Sequence, residues 1–170
     1  MSVAINAARH RAPAAQDPSF RAEYLQALQL IERLHRMLLD VIKDEFDRIG
    51  GYDLNAVQAL LIYNIGDSEL TAGELKSRGY YLGSNVSYNL KKLVDMGYID
   101  YKKSESDRRS VRVSLSPKGK EASAVVQDLY QRQLRSVETV GQVSGDDFRS
   151  LNKALTRLER YWADHIRYRL

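Results

Sequence analysis

The stretch that most constrains this chain runs from Thr71 to Leu115, and it opens with a capping box, because a glutamate follows Thr71 three residues later. The helix that begins there is predicted to stop at Gly79. After a tight connection, Ser84 is predicted to cap a second helix that ends before Gly97. Two short helices joined by a glycine-containing turn are typical of a helix-turn-helix.

The second helix, Ser84–Met96, has two chemically different sides. Apolar residues at spacings of four, seven and eight share the side that is predicted to be buried: Val86, Leu90, Leu93 and Val94. The other side presents hydrogen-bonding side chains and then two lysines: Ser84, Asn85, Ser87, Tyr88, Lys91 and Lys92. Such a side suits an anion that also offers hydrogen-bond partners, and nucleic acid is a partner of this kind.

A two-stranded hairpin is predicted after this helix. Residues Tyr98 to Lys102 are typical of a strand, and apolar residues alternate with polar ones from Val111 to Leu115. The eight residues between the strands, 103–110, are polar and charged. A helix-turn-helix that is followed by a basic hairpin is a winged helix, so this fold is predicted for the stretch.

Two helices are predicted before the winged helix. The first extends from Ser19, its predicted N-cap, to about Arg48, and its apolar stripe is wide enough to pack against two neighbours or against another chain. Asp53 is predicted to cap a shorter helix that ends at Asn64.

Two more helices are predicted after it. Ser116 and Pro117 begin a helix whose buried face is predicted to continue past Gln133 to Val140. In the last helix, from about Asp146, residues three and four apart follow the pattern of helix-on-helix packing: Phe148, Leu151, Leu155, Leu158, Trp162 and His165. A winged helix needs neither end helix, so both are predicted to form a dimer layer, with these leucines and Trp162 at the interface.

Positive charge is concentrated on the winged helix. Residues 71–120 hold eleven lysines and arginines against five aspartates and glutamates, a net charge of +6 in a chain whose total is +4. Concentration of one sign on one module is the electrostatic pattern of nucleic-acid binding. Double-stranded DNA is therefore the predicted partner.

The composition excludes several other classes of function. The chain has no cysteine, which excludes disulfides, thiolate nucleophiles and cysteine zinc sites. Its three histidines lack the spacing of metal ligands, so no metal or other cofactor is predicted. No apolar run reaches the roughly 18 residues that span a bilayer, and the N-terminus lacks the pattern of a secretory signal. A cytoplasmic, nucleoid-associated protein is expected.

With these residues assembled, the chain resembles the MarR family of bacterial transcription regulators from about Leu34 to Leu170. The most specific residues are Asp107-Arg108-Arg109 in the hairpin and the segment 113–119 after it. Segment 81–89 and the Tyr161-Trp162 pair resemble the LdtR-type branch of alphaproteobacterial regulators. Resemblance to that branch implies control of cell-wall L,D-transpeptidase and stress genes.

The resemblance implies a mainly α fold with a small β-hairpin wing, in which a winged helix-turn-helix joins a helical dimerisation layer. Residues 53–115 would form the DNA-binding lobe, and 19–52 together with 116–170 the dimerisation region. Residues 1–18 are predicted from their sequence to be a flexible arm, which is longer than the family pattern requires. The implied function is that of a homodimeric, ligand-responsive regulator, a repressor that binds pseudo-palindromic operators.

Individual DNA contacts are predicted from the positions of residues on the winged helix. The side chains that would read base edges are Ser84, Asn85, Ser87 and Tyr88, since asparagine pairs with adenine through two hydrogen bonds. Phosphates would be contacted by Lys91, Lys92, Lys102 and Lys103. In the wing, the resemblance implies that Asp107 orients the hairpin and that Arg109, next to Arg108, enters a minor groove.

A small aromatic or phenolic effector is implied at the junction of the lobe and the dimer layer. The residues that are predicted to border this junction are Arg33, His35, Tyr52, Tyr63, Asn64, Tyr80 and Tyr81. For each of them the alternative is a core or interface residue whose polar group is satisfied within the protein.

The alternatives to DNA binding are a protein-interaction module and an enzyme. A winged helix can also serve as a protein-interaction module, but the +6 stretch and the Asp-Arg-Arg sequence favour DNA. An enzyme is not predicted, since the sequence contains no nucleophile elbow, phosphate-binding loop or paired-carboxylate arrangement.

Overall fold

A computed structural model describes residues 17–71, 74–75, 83–103 and 111–168, and at 83–86, 103 and 111 it describes the backbone alone. The chain divides after Val41 into two compact units. The described elements are the helices α1 (Pro18–Ile49), α2 (Ala56–Ile65), α3 (Gly83–Asp95), α4 (Pro117–Val137) and α5 (Gly145–Tyr168), and the strands β1 (Leu70–Thr71), β2 (Ile99–Lys103) and β3 (Val111–Leu115). This architecture is the mainly α fold with a β-hairpin that the sequence predicts.

The first two helices begin at caps that differ from the predicted ones. The backbone N–H of Ser19 donates to the Asp17 carboxylate at 3.0 Å, so Asp17 caps α1 and Ser19 lies inside it. Asn55 rather than Asp53 caps α2, because its side chain accepts from the N–H of Gln58 at 2.9 Å and the Gln58 side chain accepts from the N–H of Asn55 at 3.1 Å. This reciprocal pair satisfies two backbone donors at once, which a lone Asp53 would not do.

The three strands form one antiparallel sheet in the order β1-β3-β2. Within the hairpin, Ile99 lies opposite Leu115 and Tyr101 lies opposite Val113. Leu70 of β1 lies opposite Val113 on the other side of β3. Ile99, Leu70, Val113 and Leu115 are all buried, so one face of the sheet closes the core of the second unit.

The predicted capping box after β1 is confirmed. The N–H of Thr71 donates to the Glu74 carboxylate at 2.6 Å, and the N–H of Glu74 donates to the Thr71 hydroxyl at 3.1 Å. Glu74 and Leu75 are helical, and Leu75 is buried. The remainder of the predicted first helix of the helix-turn-helix lies outside the described residues.

The helix α4 buries only the first part of its predicted apolar face. Its buried positions are Gly119, Ala122, Val126 and Leu129, and this part of the helix packs on α2 and β3. Further along, Gln133 is exposed, and Val140 lies beyond the helix with 79% of its surface exposed. The predicted buried face past Gln133 is therefore wrong for the single chain, in which Gln133 and Val140 are both exposed.

A buried carboxylate ties the end of α1 to α4. Glu45 is 8% exposed, and its oxygens accept from Arg48 at 2.7 and 3.1 Å and from Arg132 of α4. Hydrogen bonds from Arg48 lower the pKa of Glu45 against the opposing effect of burial, and Arg132 lowers it further. The charge of this carboxylate is thus matched by cations from two helices.

Candidate nucleic-acid interface

The helix α3 is positioned by the apolar side that the sequence predicts. Leu93 is fully buried, and Leu90 is nearly so. The opposite side is exposed at Ser87, Tyr88, Lys91 and Lys92. Since α3 begins at Gly83, Ser84 and Asn85 lie in its first turn, and the prediction that Ser84 is the N-cap is wrong.

Tyr88 and Lys92 form a pair on the exposed side of α3. They are four residues apart, and the Lys92 ammonium lies 6.0 Å from the centre of the Tyr88 ring. That distance is the outer limit of a cation–π contact, which orients both side chains at little energetic gain on an exposed surface. With 62% of its surface exposed, Tyr88 offers an aromatic face and a hydroxyl to a partner.

The C-terminus of α3 is closed by a Schellman motif. The N–H of Gly97 donates to the carbonyl of Val94 at 3.0 Å, and the N–H of Tyr98 donates to the carbonyl of Leu93 at 2.9 Å. Gly97 has φ of +75°, a conformation that glycine adopts without steric cost. The predicted role of this glycine in ending the helix is confirmed.

The start of α4 holds the end of α3 in place. The Ser116 hydroxyl donates to the carbonyl of Gly97 at 2.7 Å, while the same oxygen accepts from the N–H of Gly119 at 3.1 Å as the N-cap of α4. The Lys118 ammonium donates to the carbonyl of Met96 at 3.0 Å and lies 4.1 Å from the centre of the Tyr98 ring. These contacts form a junction that joins the end of α3 to the start of α4.

Gly119 is required by the closeness of this junction. A Cβ atom at position 119 would clash with the backbone carbonyl of Tyr98, and that carbonyl accepts from the N–H of Ser116 at 3.1 Å. The Tyr98 side chain is fully buried. The junction therefore has no room for even one additional carbon at Gly119.

Two cations lie directly opposite each other on the outer face of the hairpin. Lys102 of β2 pairs in register with Arg112 of β3, and both side chains are exposed. Arg112 also lies 3.8 Å from the Glu69 carboxylate, an exposed ion pair that contributes about 0–1 kcal/mol. Like charges in opposite positions destabilise a sheet, so this arrangement is expected where an anion binds.

Sequence reasoning missed Arg112 as a candidate contact. The signal was present in the alternation of β3, because Arg112 is flanked by Val111 and by the buried Val113 and must point to the outer face. What the sequence could not supply was the register that places Lys102 opposite this arginine.

Several predicted contact residues lie outside the described parts of the chain. These are Asp107, Arg108 and Arg109 of the wing and Tyr80 and Tyr81 before α3. For Ser84, Asn85 and Lys103 the backbone belongs to α3 or β2, and the side chains are not described.

The predicted effector residues fall into separate surroundings. Arg33 and His35 are exposed on the part of α1 that belongs to the first unit. Tyr52 is half-buried, with its ring centre 5.2 Å from that of Phe46. Tyr63 and Asn64 line one cleft, beside α4.

The end helix α5 has no buried residue in the part of the chain that the structure describes. Of the four predicted interface residues, Leu151 and Leu155 are exposed, and Leu158 and Trp162 are half-buried. Its described polar contacts are local, as in the Ser144 cap, where the Asp147 carboxylate accepts from the Ser144 N–H at 2.9 Å. Hydrogen bonds from Ser144 lower the pKa of Asp147.

The described ranges contain neither a group of metal-binding side chains nor a membrane-spanning helix. No three His, Asp or Glu side chains are grouped there in a way that could hold a metal ion. None of the described helices is long and apolar enough to cross a membrane.

The chain is similar to a family of DNA-binding domains, to a transcription regulator and to several solved structures. The family described as "Winged helix DNA-binding domain" matches residues 54–119. The exopolysaccharide II synthesis transcriptional activator ExpG of Rhizobium meliloti (strain 1021) is 36% identical over 148 residues, which cover 85% of this chain and 74% of that protein.

Solved structures show the same fold. The transcriptional regulator SlyA matches with a TM-score of 0.71 at 16% identity, covering 85% of this chain and 99% of that one. FabT of Streptococcus pneumoniae in complex with DNA matches with 0.59 at 22% identity over 87% and 99%. A MarR mutant from E. coli complexed with operator DNA matches with 0.61 at 20% identity over 80% and 95%.

Proposed function

Because the chain belongs to the MarR family of winged-helix transcriptional regulators, which bind DNA and are not enzymes, we propose that it acts as a homodimer on pseudo-palindromic operators. The observation that carries the proposal is the exposed side of α3, where hydrogen-bonding groups and two lysines lie together. In a helix-turn-helix the second helix enters the major groove, and its N-terminal residues meet base edges.

The proposed contacts divide by chemistry. Base edges are read by the first turns of α3: Ser84, Asn85, Ser87 and Tyr88. Phosphates are contacted by cations of α3 and of the hairpin: Lys91, Lys92, Lys102, Lys103 and Arg112. At the wing tip, Arg109 reads the width of a minor groove beside Arg108, and Asp107 orients the hairpin.

The proposed dimer layer is supported by apolar side chains that the single chain leaves exposed. On α5 these include Phe148, Leu151, Leu155, Tyr161 and Ile166. On the first unit they are Phe20, Leu25, Leu30, Leu34, Met37 and Val41. Surfaces of this extent on a folded chain mark sites of association. We assign 19–52 and 116–170 to dimerisation and 53–115 to DNA binding, while residues 1–16 of the predicted arm, 1–18, lie outside the described residues.

DNA binding and dimerisation are tested together on the full chain. Fluorescence anisotropy with duplexes from its own upstream region should give specific binding that weakens steeply with salt, since each phosphate contact releases a counterion. Light scattering should give twice the mass of 19.4 kDa. A protein that binds none of these duplexes at low salt would instead be a winged-helix interaction module.

Ligand response is the second part of the proposed regulatory function. A small aromatic or phenolic effector would bind where the lobe meets the dimer layer, and it would change the spacing of the two α3 helices. In the DNA-competent dimer that spacing is about 34 Å, one turn of DNA. Footprinting with and without phenolic ligands tests the effect, and an unchanged footprint at saturating ligand contradicts it.

Repression is the proposed direction of control, and the ExpG relative provides a specific reason to consider activation. ExpG is named an activator of exopolysaccharide II synthesis. A reporter fused to candidate promoters, including those of cell-wall L,D-transpeptidase and exopolysaccharide genes, separates the two. Repression predicts higher reporter output when the regulator is deleted, and activation predicts lower output.

A further inference from the structure

A polar cleft lies between the end of α2 and the first half of α4. Its volume is about 410 Å³, within the roughly 300–1,000 Å³ range of small-molecule sites. The α4 residues Lys120, Ser123, Ala124 and Gln127 form one helical face along it. The rest of the lining is Tyr63, Asn64, Gly66, Asp67 and Leu115.

The cleft has one charge of each sign on separate chain elements. Asp67 follows α2, whereas Lys120 lies on α4. Within the described residues, no hydrogen bond or ion pair engages the side chains of Asn64, Asp67, Lys120, Ser123 or Gln127. The lining therefore combines neutral donors and acceptors with one carboxylate and one ammonium that have no partner among the described residues.

We propose that this cleft binds a small zwitterion of the amino-acid type, which acts as an effector of DNA binding. The ligand ammonium pairs with Asp67, its carboxylate pairs with Lys120, and its remaining polar groups are bound by Asn64 and Gln127. An aromatic acid would leave Asp67 without a cation, so the cleft differs in chemistry from a phenolic site. The regulatory half of this inference rests on the proposed function.

The cleft is connected to α3 through the junction. Leu115 lines the cleft and immediately precedes Ser116, whose hydroxyl donates to the Gly97 carbonyl at 2.7 Å. Lys120 lies two residues beyond Lys118, whose ammonium donates to the Met96 carbonyl at 3.0 Å. A ligand that draws the first turns of α4 towards α2 therefore moves the end of α3. The ligand shifts DNA affinity to the extent that it prefers one of the two positions.

Binding is measured by calorimetry on the full chain with each of the twenty common L-amino acids as probe. At least one should bind with a dissociation constant below about 1 mM. Acetate and methylammonium, which each carry one of the two charges, should bind at least about tenfold more weakly. If no amino acid binds in this range, or if acetate binds as tightly as the best amino acid, the inference is overturned.

Matched variants place the ligand in the cleft. Asp67→Asn and Lys120→Gln each remove one charge from an exposed side chain, so folding should be retained, as thermal melting will verify. Each should weaken binding of the best amino acid about tenfold or more. Asp128→Asn and Lys153→Gln remove the same charges from exposed positions outside the cleft and should leave binding unchanged. Equal effects of cleft and control variants would overturn the assignment.

The effect of the bound amino acid on operator affinity is measured in a separate experiment. The bound amino acid should change operator affinity by about 5- to 150-fold, and operator should change amino-acid affinity by the same factor. Saturating ligand that leaves operator affinity unchanged overturns the effector role. Failure to bind DNA at all would overturn the proposed function, whereas calorimetric binding in the cleft would still be observed. Normal DNA binding without any amino-acid binding overturns this inference alone.

Discussion

The helices α3 and α5 are both amphipathic, but among the described residues only α3 buries its apolar side. α3 buries Leu90 and Leu93 within its own chain. α5 has the longer and more regular apolar stripe, and none of its described residues is buried. An apolar stripe in a sequence therefore indicates that a surface will be covered, but it does not indicate whether the same chain or a second one covers it.

Polar contacts show the same difference. The end of α3 is held by residues about twenty positions away, through Ser116 on Gly97 and Lys118 on Met96. The described polar contacts of α5 join residues three or four apart, as in Ser144 with Asp147. We infer that α3 is positioned by the fold of the chain and α5 by association.

The largest expected effect comes from making α5 unable to associate. Leu151→Glu combined with Leu155→Glu places two carboxylates on the apolar stripe, where burial of a charge in an interface is strongly unfavourable. We expect a monomer by light scattering and a loss of operator affinity of at least about hundredfold, because the two half-sites no longer bind as one unit. Lys153→Gln, on the same helix, is the control and should remain dimeric. A double variant that stays dimeric would show that α5 is not the interface.

A substitution in the proposed DNA-binding surface should weaken operator binding without affecting dimerisation. Arg109→Ala removes the proposed minor-groove contact and should weaken operator binding by about ten- to hundredfold, in line with one or two strong contacts of about 1–3 kcal/mol. The dimer should be unaffected, since the wing takes no part in the proposed layer. Anisotropy measures the first effect and light scattering the second. Wild-type affinity in this variant would remove Arg109 from the interface.

The sequence was sufficient where a single local pattern decides the structure. The Thr71–Glu74 capping box, the Ser116 cap and the end of α3 at Gly97 were all predicted from spacing alone, and each is confirmed. The cap of α2 was mispredicted, because Asp53 and Asn55 are both good caps and the reciprocal bond with Gln58 decides between them.

Contacts between distant segments could not be predicted from the sequence. The opposite placement of Lys102 and Arg112 depends on strand register, and the cleft at Asn64 and Lys120 depends on how α2 packs against α4. The DNA contacts of α3 were predicted from residue type and position on a helix, and those of Asp107 and Arg109 from the resemblance to the MarR family. These predictions remain to be tested. The predicted interface residues Leu151, Leu155, Leu158 and Trp162 also remain to be tested, because the structure of a single chain cannot show burial against a second chain.

Two glycine-to-alanine changes compare the regions by stability. Gly119→Ala forces a carbon against the Tyr98 carbonyl, so the free energy of unfolding should fall by about 1–3 kcal/mol. Gly145→Ala, in the first turn of α5, meets nothing closer than the Arg149 side chain at 3.6 Å and should be neutral or stabilising by up to about 1 kcal/mol. Urea unfolding measures both. Equal stabilities would mean that the junction gives way easily and does not hold α3.

The smallest expected effect concerns the paired cations of the hairpin. Arg112→Gln should lower operator affinity modestly and reduce the slope of log affinity against log salt by about one for each subunit, because one phosphate contact is lost from each. Glu69→Gln removes the acidic partner of Arg112 and retains the cation, so its slope should stay at the wild-type value. Arg135→Gln, which removes an exposed cation from the last turn of α4, controls for net charge. If Arg112→Gln and Arg135→Gln change the slope equally, then the hairpin acts through general charge. If only Arg112→Gln reduces the slope, a phosphate contacts the outer face of the sheet. The hairpin would then be, like α3, a DNA-binding surface that is positioned by the fold of a single chain.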